Sequence, residues 1–209
     1  MEGSMPATVD YYMTSVSPFT YLGHQTFRAI AHKHGVAVRV KPVNLGPIFE
    51  NSGALPLAQR PAIRQRYRRI ELQRVAEYRG LPIHTKPKFW PVDPSLADHT
   101  IIALVEAGEN PLSYMERVFA AVWANEEDIA EAATLATYLK AEGFDADAIL
   151  EAAASPQTFD IRARNTQDAI AADAVGVPTW ILNGEPFWGQ DRLEHLDQAL
   201  AAGRKAFSA

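Results

Sequence analysis

The chain has 209 residues, a formal net charge of −5 and no cysteine. The missing thiol excludes disulfides, thiolate metal sites and protein-thiol redox chemistry, the acidic balance argues mildly against nucleic acid as the main partner, and no apolar run approaches the ~20 residues of a membrane span. An apolar fraction of 47% and a charged fraction of 22% are those of an ordinary globular protein, long enough to bury a sizeable core as one domain or as a small domain with a large insertion.

Met1–Thr8 has neither the basic start nor the apolar stretch of a leader, so cytoplasm is the expected location, and the fold reading starts after Ser4. Val9–Met13 reads as a first strand. Ser17 then reads as an N-cap, whose side-chain oxygen accepts from a free backbone N–H, and Pro18 as the first helical residue, where its fixed φ fits. The helix that follows buries Leu22, Phe27 and Ile30 and stops at Gly35. Val36–Val40 alternates apolar residues at 36, 38 and 40 and reads as a second strand, parallel to the first through a right-handed βαβ crossover. Phe49–Pro56 reads as a loop.

A helix is predicted over Pro61–Tyr78, with Ile63, Tyr67 and Ile70 on one face and Gly80 as its stop. Leu81–Pro94 is a proline-rich loop. Helical patterns follow at 95–107, 112–126, 131–142, 145–154 and 156–174, with Gly108 and Gly143 as stops and Ser155-Pro156 repeating the cap-then-proline start. Thr179–Leu182, Asn183-Gly184 and Glu185–Trp188 form a hairpin, because Asn-Gly supplies the two positive φ angles that its turn needs. Pro186 confines its strand to an edge. Asp191 is read as the cap of a last helix whose Leu193, Leu196 and Leu200 face inward. The order βαβ, helices, ββα is an α/β fold with one part at 5–55 and 175–209 and a helical insertion at 56–174.

Few residues outside these junctions carry a chemical signal. The helix after Ser17 aims unpaired N–H groups and a partial positive charge at whatever lies beside that hydroxyl. Arg60, Arg64, Arg66, Arg68, Arg69, Arg74 and Arg79 form a basic run, most of it a solvated face, with Arg60 and Arg64 the best placed in sequence to meet an anion. The six histidines show no metal spacing, and His32 and His34 diverge on their helix. Trp90, Trp123, Trp180 and Trp188 read as core or pocket wall.

Ser-Pro-Phe-Thr-Tyr-Leu at 17–22, Gly-Val-Pro-Thr at 176–179 and Phe-Trp-Gly-Gln-Asp-Arg-Leu at 187–193 together resemble the 2-hydroxychromene-2-carboxylate isomerase family. That family is close to the kappa-class glutathione transferases and more distant from the DsbA-like disulfide oxidases. The resemblance implies a thioredoxin-like domain with an inserted all-helical domain, a homodimer, and glutathione as the cofactor. Thioredoxin-like oxidoreductases carry a reactive cysteine at the strand-to-helix junction; here Ser17 stands in that place, so the sulfur arrives with the ligand. By similarity, Ser17 hydrogen-bonds that sulfur as the catalytic group, flanked by Pro18 and Phe19. Val177 pairs its backbone with the cysteinyl part ahead of Pro178, expected to be cis, and Gln190 and Asp191 hold the γ-glutamyl end. Arg60 and Arg64 are candidates for the glycyl carboxylate or an anionic substrate. The sequence departs from the family at Ala54, where an asparagine is usual; Asn51 lies three residues earlier.

A free thiol with pKa about 8.5 is only ~3% thiolate at pH 7, and lowering that pKa by ~2 units requires ~2.7 kcal/mol. A helix start supplies up to ~2 kcal/mol and a hydrogen bond to a charged group ~1.5–3 kcal/mol, so Ser17 and the helix together suffice. Three functions remain open: a glutathione-dependent isomerase of small aromatic catabolites, a kappa-like transferase or peroxidase acting on other electrophiles, and a non-catalytic small-ligand binder.

Overall fold

A computed structural model describes residues 7–208; the expected first residues of the thioredoxin-like part, 5 and 6, lie outside them. Strand β1 (Thr8–Met13) leads into helix α1 (Pro18–His34) and strand β2 (Ala37–Pro42). Helix α2 (Leu45–Ser52) and a 3-10 turn at Leu57–Gln59 precede α3 (Ala62–Arg79). Then come α4 (Ser95–Glu106), α5 (Leu112–Trp123), α6 (Ala132–Ala141), α7 (Ala146–Ala153) and α8 (Pro156–Ala171). The chain closes with β3 (Thr179–Leu182), β4 (Glu185–Trp188), a 3-10 turn at Gln190–Arg192 and α9 (Leu193–Ala202).

The sheet order is β2-β1-β3-β4. β1 and β2 are parallel, as the short βαβ crossover dictates, while β3 lies antiparallel to both β1 and β4. This is a thioredoxin-like sheet with a helical block inserted between β2 and β3. Strand alternation divides the core between the two faces. Val9, Tyr11 and Met13 join Trp180 and Leu182 on one face, packed with α1, α9 and the inserted helices. Tyr12 and Ile181 lie on the other face with Val43, Ile48 and Ala169 from the α2 and α8 side. The first cluster runs on without a break through Leu104, Leu135, Leu139 and Ile149 of the inserted helices. Tyr11 stacks on Trp180 with ring centroids 5.4 Å apart.

Local signals hold where they are strongest. Ser17 Oγ accepts from Thr20 N–H at 3.2 Å, Pro18 opens α1, and Gly35 closes it at φ 59°. Asn183 and Gly184 take φ of 53° and 86°, and Pro186 sits on the edge strand β4. Other expectations are corrected. The Phe49–Pro56 loop is in part the helix α2, started by Asn44, whose Oδ1 accepts from Gly46 N–H at 3.1 Å. Ser155 makes no side-chain cap although Pro156 does open α8. α3 buries Leu72 and Ala76, while Ile63, Tyr67 and Ile70 are 68%, 58% and 51% exposed. Periodicity shows that a helix has an apolar face, but only packing decides whether another element covers it.

His24 of α1 is buried beneath the inserted α5. Its Nε2 lies 2.8 Å from the Leu112 carbonyl and so carries the proton, leaving Nδ1 to accept from Tyr11 Oη at 3.3 Å. Burial pushes its pKa down to about 4. The unfolded chain therefore takes up a proton below pH ~6.5 that the folded chain refuses until about 4, and stability falls as pH falls through that window. We predict a loss on the order of 2–3 kcal/mol between pH 7 and pH 4.5 from this group. Urea unfolding at the two pH values measures it; a His24→Gln variant, which cannot titrate, should show a shallower decline.

Candidate active site

The strand-to-helix turn that carries Ser17 is clamped from below. Asp98 of α4 is fully buried. Its Oδ1 accepts from Ser15 N–H at 2.8 Å, and its Oδ2 accepts from Thr14 Oγ1 at 2.8 Å and from Arg162 Nη2 at 2.7 Å. Burial pushes the Asp98 carboxyl up, while Arg162 and the donors of Thr14 and Ser15 oppose that push by favouring the charged form. Arg162 also donates to the Val43 carbonyl at 3.3 Å. Helices α4 and α8 thereby fix the backbone at Thr14-Ser15, and the Thr14 carbonyl accepts from Ser17 N–H at 3.2 Å. Ser17 Oγ spends a lone pair on the Thr20 N–H. Its O–H stays available to donate to a ligand.

Ser17 borders a cavity of about 530 Å³, within the ordinary range for small-molecule sites. Pro18, Phe19, Arg60, Val177, Gln190 and Asp191 also line it, so most of the residues read from the sequence meet there. Two do not. Arg64 is exposed and off the wall, and Pro178 is buried behind it. The Val177–Pro178 peptide is cis, as expected, and the Pro178 carbonyl accepts from Gly189 N–H at 2.9 Å. The two loops that border the cavity are thus joined. Ala54 and Asn51 are both absent from the wall, although Phe49 and Pro56 on either side of them belong to it.

Asp191 is not a helix cap. α9 starts after Arg192 without a side-chain cap, and Asp191 sits in the preceding 3-10 turn with its Oδ2 accepting from Arg192 Nη1 at 2.9 Å. The extra turn displaces Asp191 from the cap position and leaves it on the cavity wall. Gln190 is held by Arg79, which donates to its backbone carbonyl at 2.9 Å and to its Oε1 at 3.2 Å. The amide N–H groups of Gln190 remain for a ligand. α1 approaches this turn closely at Gly23, where a Cβ would lie 2.9 Å from Gln190 Cβ.

Sequence reasoning missed Asp98, Arg162 and Arg68. Asp98 lies 83 residues from Ser15, with no local signal to connect them. Arg68 belonged to the basic run but nothing separated it from its neighbours; in the structure it lines the cavity with Arg60. Among the described residues no three His, Asp or Glu side chains gather as a metal site.

The family profile described as DSBA-like thioredoxin domain matches residues 8–201. The chain belongs to the DSBA-like thioredoxin family. It departs from the disulfide-exchanging pattern of that fold in having no cysteine. This DSBA-like chain is 29% identical over 198 residues to a 2-hydroxychromene-2-carboxylate isomerase of Pseudomonas putida, covering 92% of this chain and 93% of that protein. It is 27% identical over 201 residues to glutathione S-transferase kappa 1 of Caenorhabditis elegans, covering 90% and 88%. Among solved structures, a 2-hydroxychromene-2-carboxylate isomerase superposes with a TM-score of 0.77 at 26% identity, covering 93% of this chain and 95% of the other. These likenesses span nearly the whole chain, as the three sequence motifs implied.

Proposed function

We propose that this protein is a glutathione-dependent isomerase acting on 2-hydroxychromene-2-carboxylate-type aromatic compounds. The observation that carries the reading is the Ser17 hydroxyl, with its lone pair committed to α1 and its O–H free, on the wall of a cavity in a chain with no sulfur nucleophile of its own. The donor set suits a γ-glutamyl tripeptide. Asp191 complements its ammonium, the Val177 backbone and Gln190 amide offer hydrogen bonds, and Arg60 complements a carboxylate. When bound, glutathione supplies a thiolate able to add reversibly to an electron-poor carbon, so that a double bond can rotate. Ser17 and the α1 start hold negative charge on the sulfur. Phe19, Phe49, Trp90 and Trp188 form aromatic walls suited to a flat ring.

The test is titration with glutathione, followed by product analysis with 2-hydroxychromene-2-carboxylate. The expected result is glutathione binding and formation of the ring-opened trans isomer with no net consumption of glutathione. Accumulating thioether would favour a kappa-like transferase, the reading supported by the likeness to the Caenorhabditis elegans protein. No glutathione binding would sink both and leave a small-ligand binder. We also infer a homodimer, supported by the exposed α3 stripe of Ile63, Tyr67 and Ile70 with Tyr78, and checked by sedimentation velocity; a cytoplasmic location is part of the same reading.

Asp191 offers a sharper check. Asp191→Asn should weaken glutathione by roughly 1.5–3 kcal/mol, the scale of a charge-assisted hydrogen bond. Because Asp191 caps no helix, the melting temperature should barely move. Unchanged affinity would remove Asp191 from the site.

A further inference from the structure

Among the described residues the cavity wall carries two carboxylates, Asp191 and Glu71. Asp191 already serves the ligand ammonium, and Glu71 has no role in the function proposed above. Glu71 lies on the face of α3 that borders the cavity, with Arg68 three residues before it and Val75 four residues after it. Its ion-pair partner is Arg74, whose side chain is 60% exposed. Water screens such a pair, so it holds the carboxylate only weakly. Rounded, a cavity of this size is about 10 Å across, so a bicyclic ligand beside Ser17 also meets α3.

The proposed reaction contains a step that neither Ser17 nor a thiolate supplies. In a 2-hydroxychromene the carbon bearing the hydroxyl is saturated, the centre of a cyclic hemiketal. The neighbouring double bond is therefore not conjugated with a carbonyl. It becomes an electron-poor acceptor for sulfur only when the ring opens and that carbon becomes a ketone. Opening moves a proton from the hydroxyl to the ring oxygen, which calls for a positioned base. An ionised carboxylate on the wall has the lone pairs to take that proton.

We propose that Glu71 is the proton-transfer residue of this cavity and opens the hemiketal ring before sulfur adds. Its carboxylate takes the proton of the hydroxyl, and the electron pair of that O–H bond forms the new carbonyl. The bond from the same carbon to the ring oxygen breaks, and its electron pair stays on that oxygen as a phenolate. Glu71 then returns the proton to the phenolate, so no co-reactant is consumed. This role rests on the substrate class proposed above and adds a catalytic residue for a step that precedes the chemistry of glutathione.

The step needs no sulfur, so the experiment uses the full chain free of glutathione. It follows, by NMR exchange, the interconversion of 2-hydroxychromene-2-carboxylate between its closed and open cis forms. The protein should speed that exchange about tenfold or more over buffer. Glu71→Gln should abolish the gain, and Glu77→Gln, on the exposed side of the same helix, should match the unmodified protein. With glutathione present, Glu71→Gln should slow isomerisation of the chromene about tenfold or more. It should leave isomerisation of cis-benzylidenepyruvate, an open enone with no ring to break, within about twofold. The proposal is overturned if the unmodified protein does not speed the exchange, or if the gain survives Glu71→Gln. An equal loss on both substrates also overturns it, since Glu71 would then act through the structure of the site. A protein that opens the ring through Glu71 yet forms no trans isomer with glutathione would lose the proposed function and keep this residue's role.

Discussion

Ser17→Ala is expected to slow turnover at pH 7 by roughly ten- to a hundredfold. The hydroxyl lies at the start of α1 on the cavity wall, and its loss leaves the N–H groups and dipole of α1 in place. The thiol of bound glutathione should lose ~1.5–3 kcal/mol of thiolate stabilisation, raising its pKa by about 1–2 units. Part of the lost rate should then return as pH rises past the new pKa. The same oxygen accepts from Thr20 N–H, so stability should fall by ~0.5–2 kcal/mol from the lost cap. The thiolate absorbance of bound glutathione, followed against pH, measures the shift directly. A variant that loses stability alone, with titration and turnover unmoved, would make Ser17 a helix cap and nothing more.

Asp98→Ala is expected to lower stability by about 3–5 kcal/mol, the scale for breaking a buried ion pair by removing one partner. Arg162, only 14% exposed in its side chain, would be left without a carboxylate, and Ser15 N–H would lose its acceptor. The double variant Asp98→Leu with Arg162→Met should recover part of the loss, because it removes both charges together. Urea denaturation of the two variants and the unmodified chain gives the comparison. A loss below ~1 kcal/mol in Asp98→Ala would show that the pair does not brace the Thr14-Ser15 turn. Because the pair joins α4 and α8 to that turn, glutathione-dependent isomerisation by the folded fraction of Asp98→Ala also reports how tightly Ser17 must be held.

The parts of the site that were legible in advance are those built from neighbours in the chain. Ser17-Pro18 announces a helix start because the cap bond spans three residues and the proline φ is fixed by its own ring. Asn183-Gly184 announces the hairpin because few other residue pairs accept two positive φ angles. Family likeness pairs Gln190 with Asp191, and both line the cavity, but Asp191 does not cap the last helix, because a 3-10 turn intervenes before α9. The helix α2 is not legible in the sequence although Asn44 caps it, since eight residues of helix following a strand carry little periodicity.

By itself, then, the sequence determined the succession of strands and helices apart from α2, the junction at Ser17, the terminal hairpin and the exclusion of thiol chemistry. Those follow from dihedral preferences and hydrogen bonds that act within a few residues, and from composition. Tertiary structure alone decided that Asp98 reaches Ser15 across 83 residues, that Arg68 and not Arg64 turns to the cavity, and that the Ile63, Tyr67 and Ile70 face of α3 stays in solvent. Each of these depends on which surfaces the other elements cover, and so on how much water a charged or apolar group loses. Desolvation is set by distant parts of the chain, and no short window of sequence contains it.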